Sequence, residues 1–521
     1  ATPYILAIDL GTSGPKVALV TPAGEVVASA RASTQLHFVG AHGVEQDPHE
    51  WWQAIVRATR RMLAQATVAR ERITGICCTS QWSSTVAVDE RGIPLHNAII
   101  WMDSRGKKYV NRTTWGPLRI EGYGVDKLWA WLRRTGGLPT HSGKDSIAHI
   151  LFLKHERPEI YRQTYKFLEP KDYLNLRLTG RCATTPGAIT LHWVTDNRTI
   201  DAIDYDPTLL RLAGVEREKL PDIIRSVDVL GTISAEAAAE LGLSEGVLVA
   251  GGAPDIHSAA VGAGAVRDYA AHLYIGTSSW LVCHVPFKKT DLLNNMASLP
   301  AAIPGRYLLI NEQEIAGGAL AFLRDSLLFA RDTLATTPPA DALLRMTELA
   351  EESPPGSQGL LFTPWLNGER APVDNSTVRG GFHNLGLHHT RADLIRAVLE
   401  GVAYNTRWLM ESVESFIKRP LPALNLAGGG AQSTLWAQIF ADVMDREIHV
   451  IEQPLQVNTR GAGLLGAVAL GYVSMEELDR RVPIAATYRP NPAHRSRYDE
   501  LYQAFRTLYR QNHKLYARLN G

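Results

Sequence analysis

The chain has 521 residues, with 54 Lys and Arg against 53 Asp and Glu, and is 45% hydrophobic and 21% charged. That length allows two or more domains with sizeable cores, and the balanced charge excludes a basic face for nucleic acid. Four cysteines, two of them adjacent (Cys77 and Cys78), form neither a disulfide framework nor a metal-ligand spacing.

The first element is a buried strand over residues 4–9, whose apolar run is too short, and lacks the basic flank, for a secretion signal. No apolar run reaches 18 residues, so the expectation is a soluble, cytoplasmic protein without a membrane partner. A Gly-Thr-Ser turn (Gly11, Thr12, Ser13) leads into a second strand-like run at 17–20, and Gly24 turns the chain into a third at 26–28. Residues 51–68 carry an apolar helical face on which Trp51 and Trp52 read as packing, and another helix begins at 147–153. An apolar strand at 247–250 then runs into Gly251-Gly252-Ala253-Pro254-Asp255.

Half a chain after the first turn, Leu273-Tyr274-Ile275 runs into Gly276-Thr277-Ser278 and a strand-like Trp280-Leu281-Val282-Cys283. Repetition of this device predicts two domains of one architecture with a cleft between them. Pro354-Pro355-Gly356 is a loop, and Thr390 with Asp393 has capping-box spacing ahead of a long helix reaching at least Val413. A strand at 424–427 enters Gly428-Gly429-Gly430 and a further helix, and residues 497–519 read as a polar terminal helix.

Three glycine clusters and two carboxylates carry the chemistry. Asp9 ends a strand just before a turn whose glycines let backbone N–H groups approach an anion, and Lys16 supplies a compact cation. A Walker-type loop is absent: the nearest look-alike, Gly143-Lys144, has Leu138 and Asp145 where glycine and a hydroxyl residue are needed. Gly428–Gly430 suits either a flat base lying on bare backbone or a tight strand-to-helix turn. Asp255 reads equally as a helix N-cap or as a base facing the cleft.

In this order, Asp9-Leu10-Gly11-Thr12-Ser13, Gln81, Trp101-x-Asp103-x-Arg105, Lys171-Asp172-Tyr173-Leu174, Gly252-x-x-Asp255 and Gly276-Thr277-Ser278 resemble the FGGY carbohydrate kinases. So do Gly368-Glu369-Arg370-Ala371-Pro372, Arg379-Gly380-Gly381-Phe382 through Glu400-Gly401-Val402-Ala403-Tyr404, and Gly428-Gly429-Gly430-Ala431-x-Ser433. The resemblance spans residues 4–472, and its Asp-Leu-Gly-Thr-Ser and Gly-Glu-Arg-x-Pro segments resemble the xylulokinase branch more than the glycerol kinases.

The resemblance implies an α/β fold of two ribonuclease-H-like domains, of the actin and hexokinase ATPase type, with a catalytic cleft between them. It divides the chain into a sugar-side domain (1–250), an ATP-side domain (251–480) and a helical extension (481–521). It implies ATP and Mg²⁺ as cofactors, Asp255 as general base and Asp9 as the metal carboxylate. Thr12, Ser13, Lys16, Gly276 and Thr277 would surround the phosphates; Gly428, Gly429 and Gly430 the adenosine; and Gln81, Trp82, Asp103 and Arg105 the sugar. A homodimer is compatible with the family. The implied reaction is phosphorylation of a small ketose or polyol, with D-xylulose first.

Two departures bear on the substrate. Trp82-Ser83-Ser84 replaces the Met-His-Gly of many xylulokinases, and Ile256 stands where several members have Asn or Gln. Trp82 reads equally as a lid over the sugar and as core. Ribulose, glycerol, a tetritol or a signalling sugar are the alternative substrates, and a non-kinase ATPase or sugar sensor of the same superfold is the alternative class. The 17 histidines, His257 and the pair His388-His389 included, show no ligand spacing.

Overall fold

The computed structural model describes residues 2–330, 332–334 and 337–521. Five strands build the first sheet: β1 (Tyr4–Gly11), β2 (Gly14–Val20), β3 (Val26–Arg31), β4 (Ile73–Ser80) and β5 (Leu248–Pro254). Their spatial order is β5-β4-β1-β2-β3, with Val229–Thr232 added at the β5 edge. The first three form an antiparallel meander, while β4 and β5 run parallel to β1. Parallel strands need crossovers; helix α1 (Pro48–Gln65) supplies the one between β3 and β4. Asp47 accepts a hydrogen bond from His49 N, Pro48 pre-sets the first turn, and Trp51, Trp52, Ile55, Ala58 and Met62 go to the core. The helix stops at Gln65, short of Val68, because Ala66 turns extended.

The second sheet repeats the plan. Strands β6 (Ala271–Ile275), β7 (Ser279–Val285) and β8 (Tyr307–Ile310) are antiparallel, and β9 (Ala423–Ala427) and β10 (Glu447–Ile451) continue parallel to β6. Each sheet therefore has the ribonuclease-H-like order 3-2-1-4-5, the second widened by Met296–Pro300, Thr290–Asp291 and Ile484–Tyr488. Of its helices, α3 (Arg391–Ile417) opens on the capping box of Thr390 and Asp393, α4 (Thr434–Met444) is capped by Ser433, and α6 (Arg495–Asn520) buries Tyr498, Leu501, Tyr502 and Phe505. Among the described residues no helix is long and apolar enough to cross a membrane.

Strand β5 runs through residue 250 to Pro254, pairing with β4 as far as Ser80. Beyond residue 480, Ile484–Tyr488 pairs with β10, and α6 packs into the second domain's core.

A third core lies between the sheets. Helix α2 (Asp255–Gly262) follows the fifth strand of the first domain, and α5 (Val457–Ala469) follows the fifth strand of the second. They cross backbone to backbone: a Cβ on Gly461 would lie 1.7 Å from Ser258 O, and one on Gly262 would lie 1.8 Å from Val457 O. Helix α5 also lies on the first domain's sheet, where Cβ atoms on Gly463 and Gly466 would lie 2.4 Å from Val20 and 2.8 Å from Ile5. Gly461→Ala is therefore expected to cost about 3 kcal/mol of stability through overpacking, seen as a lowered Tm in calorimetry, whereas Ala462→Gly is expected to cost only about 1 kcal/mol.

Candidate active site

The carboxyl ends of the central strands converge where the two domains meet. Asp9 stands in register with Thr79 on β4, which in turn pairs with Ala253 on β5. Strand β5 carries a bulge before that point: Gly251 N and Gly252 N turn outward to Asp228 O (2.9 Å) and Ser226 O (3.0 Å). Gly252 has φ +73° and lies against Cys78 O, where a Cβ would sit at 2.1 Å. Asn175 Nδ2 donates to Gly251 O at 2.9 Å from the other side. The bulge re-aims the strand end so that α2 begins at Asp255. Asp255 is thus the first helical residue and not the N-cap, which is Pro254.

The Asp255 carboxylate accepts a hydrogen bond from Ile256 N at Oδ1, 2.8 Å. Burial, then the nearby charge of Asp9, with Glu312 adding, push this carboxyl up to about 7. Asp9 is also shifted upward by burial, against the pull of Lys16 and Asn458. Its Oδ2 accepts from Asn458 Nδ2 at 3.3 Å, while Oδ1 is buried without a partner. Asn458 lies on the first turn of α5 as Asp255 lies on the first turn of α2, so each domain sends the start of the helix after its fifth strand to the same place.

The Gly11–Gly14 turn is braced from below. Thr12 Oγ1 donates to Gln81 Oε1 (3.0 Å) and accepts from Trp101 Nε1 (3.0 Å), and Gln46 Nε2 donates to Thr12 O (2.8 Å). Gln81, 2% exposed, donates its amide to Gln46 Oε1 at 2.8 Å. Ser13 is exposed, and Lys16 Nζ reaches across to Leu455 O of the second domain at 2.6 Å.

Asp103 is 1% exposed and accepts from Val44 N (2.9 Å), Arg105 N (2.9 Å) and Arg105 Nε (2.9 Å). Arg105 also bonds Glu45 at 2.6 Å and lies 4.3 Å over the Phe152 ring. Trp82 donates its indole N–H to Ala188 O at 3.1 Å, meets His257 edge-on at 5.2 Å, and packs beside Ile256.

On the facing domain, Gly276 O accepts from Gly317 N (2.8 Å), and a Cβ on Gly317 would stand 2.5 Å from it. The β6–β7 turn thus rests on the Ala316-Gly317-Gly318 backbone, leaving Thr277 exposed. Gly428 has φ +88° and packs on Ile275 O, while nothing stands within 4 Å of a Cβ built on Gly429. The structure therefore gathers Asp9, Thr12, Ser13, Lys16, Gln81 and Asp255 at the strand ends of one domain, and Gly276, Thr277 and Gly428–Gly430 at those of the other. Among the described residues no group of three or more His, Cys, Asp or Glu is placed to hold a metal by itself.

Comparison with known proteins decides the family. Residues 4–262 match the N-terminal domain, and residues 271–470 the C-terminal domain, of the FGGY family of carbohydrate kinases. The chain belongs to this family. It is 28% identical to a xylulose kinase of Staphylococcus epidermidis, with 99% of this chain and 98% of that one covered. It is likewise 28% identical to a gluconokinase of Bacillus subtilis, covering 94% and 92%. The fold superposes on a gluconate kinase from Lactobacillus acidophilus with a TM-score of 0.85 at 24% identity, each chain fully covered. The protein is thus a sugar phosphotransferase of a family that uses ATP.

Sequence reasoning missed four features of this kinase. Gly317 lies outside any glycine motif, and Asn458 becomes visible only when the duplication is followed to the fifth strand. Glu312 and Glu314, both ion-paired to Arg370, come from a segment with no motif of its own. Glu369 supports that arginine from within: 4% exposed, it accepts from Glu314 N (2.8 Å), Arg370 N (2.8 Å) and Asn405 Nδ2 (2.6 Å).

Two stability measurements check this electrostatic reading. A carboxyl whose folded value is raised from the ordinary 3.8 to about 7 favours the folded state when protonated and opposes it as pH rises through that interval. Asp255→Asn is therefore expected to raise the ligand-free Tm at pH 8 and to leave it unchanged near pH 3. Arg105→Gln strands the buried Asp103 and is expected to cost about 3–5 kcal/mol, with part of the loss recovered in the Asp103→Asn/Arg105→Gln double variant.

Proposed function

We propose that this kinase transfers the γ-phosphoryl group of Mg-ATP to a hydroxyl of a small uncharged ketose, D-xylulose first, with Asp255 as general base. The observation that carries the reading is the Asp255 carboxylate, held at a helix start by a backbone hydrogen bond, raised to about 7 and opposite Asp9. A base with its affinity near neutral pH both exists as carboxylate and takes a proton readily. In the reaction the hydroxyl proton passes to Asp255, the sugar oxygen bonds to the γ-phosphorus, and the bond from that phosphorus to the bridging oxygen of ADP breaks.

The remaining groups position and neutralise, which is most of what phosphoryl transfer asks of a protein. Gly276 and Thr277 present backbone and hydroxyl groups to the phosphates, as do Ser13 and the brace-held Thr12 turn. Gly428–Gly430 offer bare backbone to the adenosine. Lys16, now bonded to a carbonyl, is free to exchange that carbonyl for a phosphate oxygen. Asp9 Oδ1, buried and unpartnered, fits a magnesium ion, which takes one or two carboxylates together with phosphate and water oxygens. The ion would supply neutralisation of phosphate charge there. Gln81 braces the turn through Thr12 and Gln46, and Asp103 and Arg105 spend their polar groups on each other and on Glu45; Trp82 forms the wall beside Ile256.

The relatives leave xylulose and gluconate both open. Charge favours the neutral sugar: Arg105 is paired with Asp103 and Glu45, Lys171 with Asp172, and Arg370 with Glu312 and Glu314. None of these three cations is left for an aldonate carboxylate, whose desolvation would go unrepaid. ADP release across ketoses, polyols, tetritols and gluconate is the test. D-xylulose is expected to drive turnover, Asp255→Asn to abolish it, and kcat/KM to fall tenfold per pH unit below about 7. Gluconate outcompeting every neutral sugar overturns the substrate, and sugar-independent ADP release surviving Asp255→Asn overturns the kinase mechanism.

A further inference from the structure

Beyond the first-domain floor, the opposite wall of the site has its own chemistry. Strands β7 and β8 pair antiparallel with Cys283 opposite Leu309 and His284 opposite Leu308. They part at Asn311, whose amide bonds both Leu281 N (3.0 Å) and Leu281 O (2.6 Å), and meet again at Ser279 and Gln313. The register is the same on both sides of the gap, so Ile310 lies opposite Val282 and Glu312 opposite Trp280. Cross-strand partners share a face of the sheet. That face is fixed by packing: Val282 and Leu308 lie in one apolar cluster with Ile256 and Ala260 of α2, with Trp82, Trp280 and Ile310 against it. Glu312 therefore projects from the second domain toward the start of α2, which carries Asp255.

The row continues across the sheet. Trp280 pairs with Tyr274 on β6, and the two rings stack at 4.0 Å and 6°. Trp280 Nε1 is shielded from solvent and has no hydrogen-bond partner among the described residues. Glu312 keeps about a third of its side chain exposed and is gripped by Arg370 alone. Arg370 is in turn fixed by Glu314 and by the buried Glu369 behind it. The site thus faces a rigid aromatic surface with one idle N–H donor and one pre-oriented carboxylate acceptor, all from the second domain. Such a surface suits a polyol, whose C–H faces lie on the ring while its hydroxyls donate to the carboxylate and accept from the indole.

We propose that Glu312, oriented by Arg370, and the indole N–H of Trp280 bind the sugar hydroxyls remote from the transferred phosphoryl group, and so select chain length. This rests on the kinase reading above. A sugar gripped by Asp255 from one domain and Glu312 from the other ties the two together, and a substrate too short to reach Glu312 forgoes that tie. Glu312 binds substrate; Arg370 is a positioning residue.

The experiment compares Glu312→Gln, Trp280→Phe and Arg370→Lys with the unaltered enzyme, on D-xylulose and on glycerol, with Asp255→Asn alongside. Glu312→Gln is nearly isosteric at a part-exposed position, and Trp280→Phe removes the N–H while keeping a ring, so both are expected to fold. Each is expected to raise KM for D-xylulose about tenfold, the size of one lost hydrogen bond. KM for ATP should stay within twofold, and the ratio of kcat/KM for D-xylulose to that for glycerol should drop by the same factor. Arg370→Lys should give a smaller rise in sugar KM with no change in the pH profile. Sugar KM unchanged in both Glu312→Gln and Trp280→Phe overturns the proposal, as does an equal rise in sugar and ATP KM. Activity retained in Asp255→Asn instead overturns the base assignment, and the KM shifts at Glu312 then stand or fall independently.

Discussion

Everything at the site depends on how closely two helices touch. Gly262 and Gly461 let α2 and α5 cross with carbonyl oxygens where side chains would otherwise stand. Without that approach the strand ends of the two sheets would be separated by a layer of side chains, and no group on one domain would reach a substrate on the other. Glycine costs conformational entropy in a helix, and α5 spends three of its 13 residues on it, Gly461, Gly463 and Gly466, in return for this close approach. Bonds around the same crossing, such as Arg460 Nε to Gly24 O (2.9 Å), anchor α5 in the first domain.

That crossing concentrates like charge. Asp9 and Asp255 come from one domain and Glu312 from the other, and the two aspartates carry raised affinities for protons. An arrangement of this kind is unfavourable for the empty protein and favourable once cations and hydrogen-bond donors arrive. The starts of α2 and α5 also point their backbone N–H groups at this place, which suits a substrate bearing phosphate. Charge repulsion in the resting state and charge complementarity in the loaded state have one origin, so water alone is a poor occupant of the closed site.

Much of this was legible in the sequence because the fold is duplicated and its turns need particular residues. The strands at 4–9 and 273–275, the Gly-Thr-Ser turns after them and the capping box at Thr390 follow from local chemistry, and each is present. Asp255 was visible as a carboxylate after an apolar strand, yet its place as first helical residue depends on a bulge held by Asn175, Asp228 and Ser226, contacts no local pattern reveals. Asp103 and Arg105 show the opposite limit. Their spacing marks them as special, but only the tertiary structure shows Asp103 held by Arg105 and Val44 N, and Arg105 held by Asp103 and Glu45.

Substrate choice is where sequence resemblance runs out, for a physical reason. Equal identity to a xylulose kinase and to a gluconokinase does not separate the two acceptors, since both reactions need the same phosphoryl-transfer chemistry. On the proposals above, the residues that tell one sugar from another are Trp82 beside Ile256, Trp280 on β7 and Glu312 just beyond β8. Selectivity for a hydroxyl arises when a buried donor or acceptor is left unpaired by the wrong ligand. The idle indole N–H of Trp280 is such a group, and a motif search passes over it because an aromatic in a strand is most often core. On these proposals the apparatus for transfer is written in the turns, and the choice of acceptor in the side chains near the ends of β7 and β8 that face the start of α2.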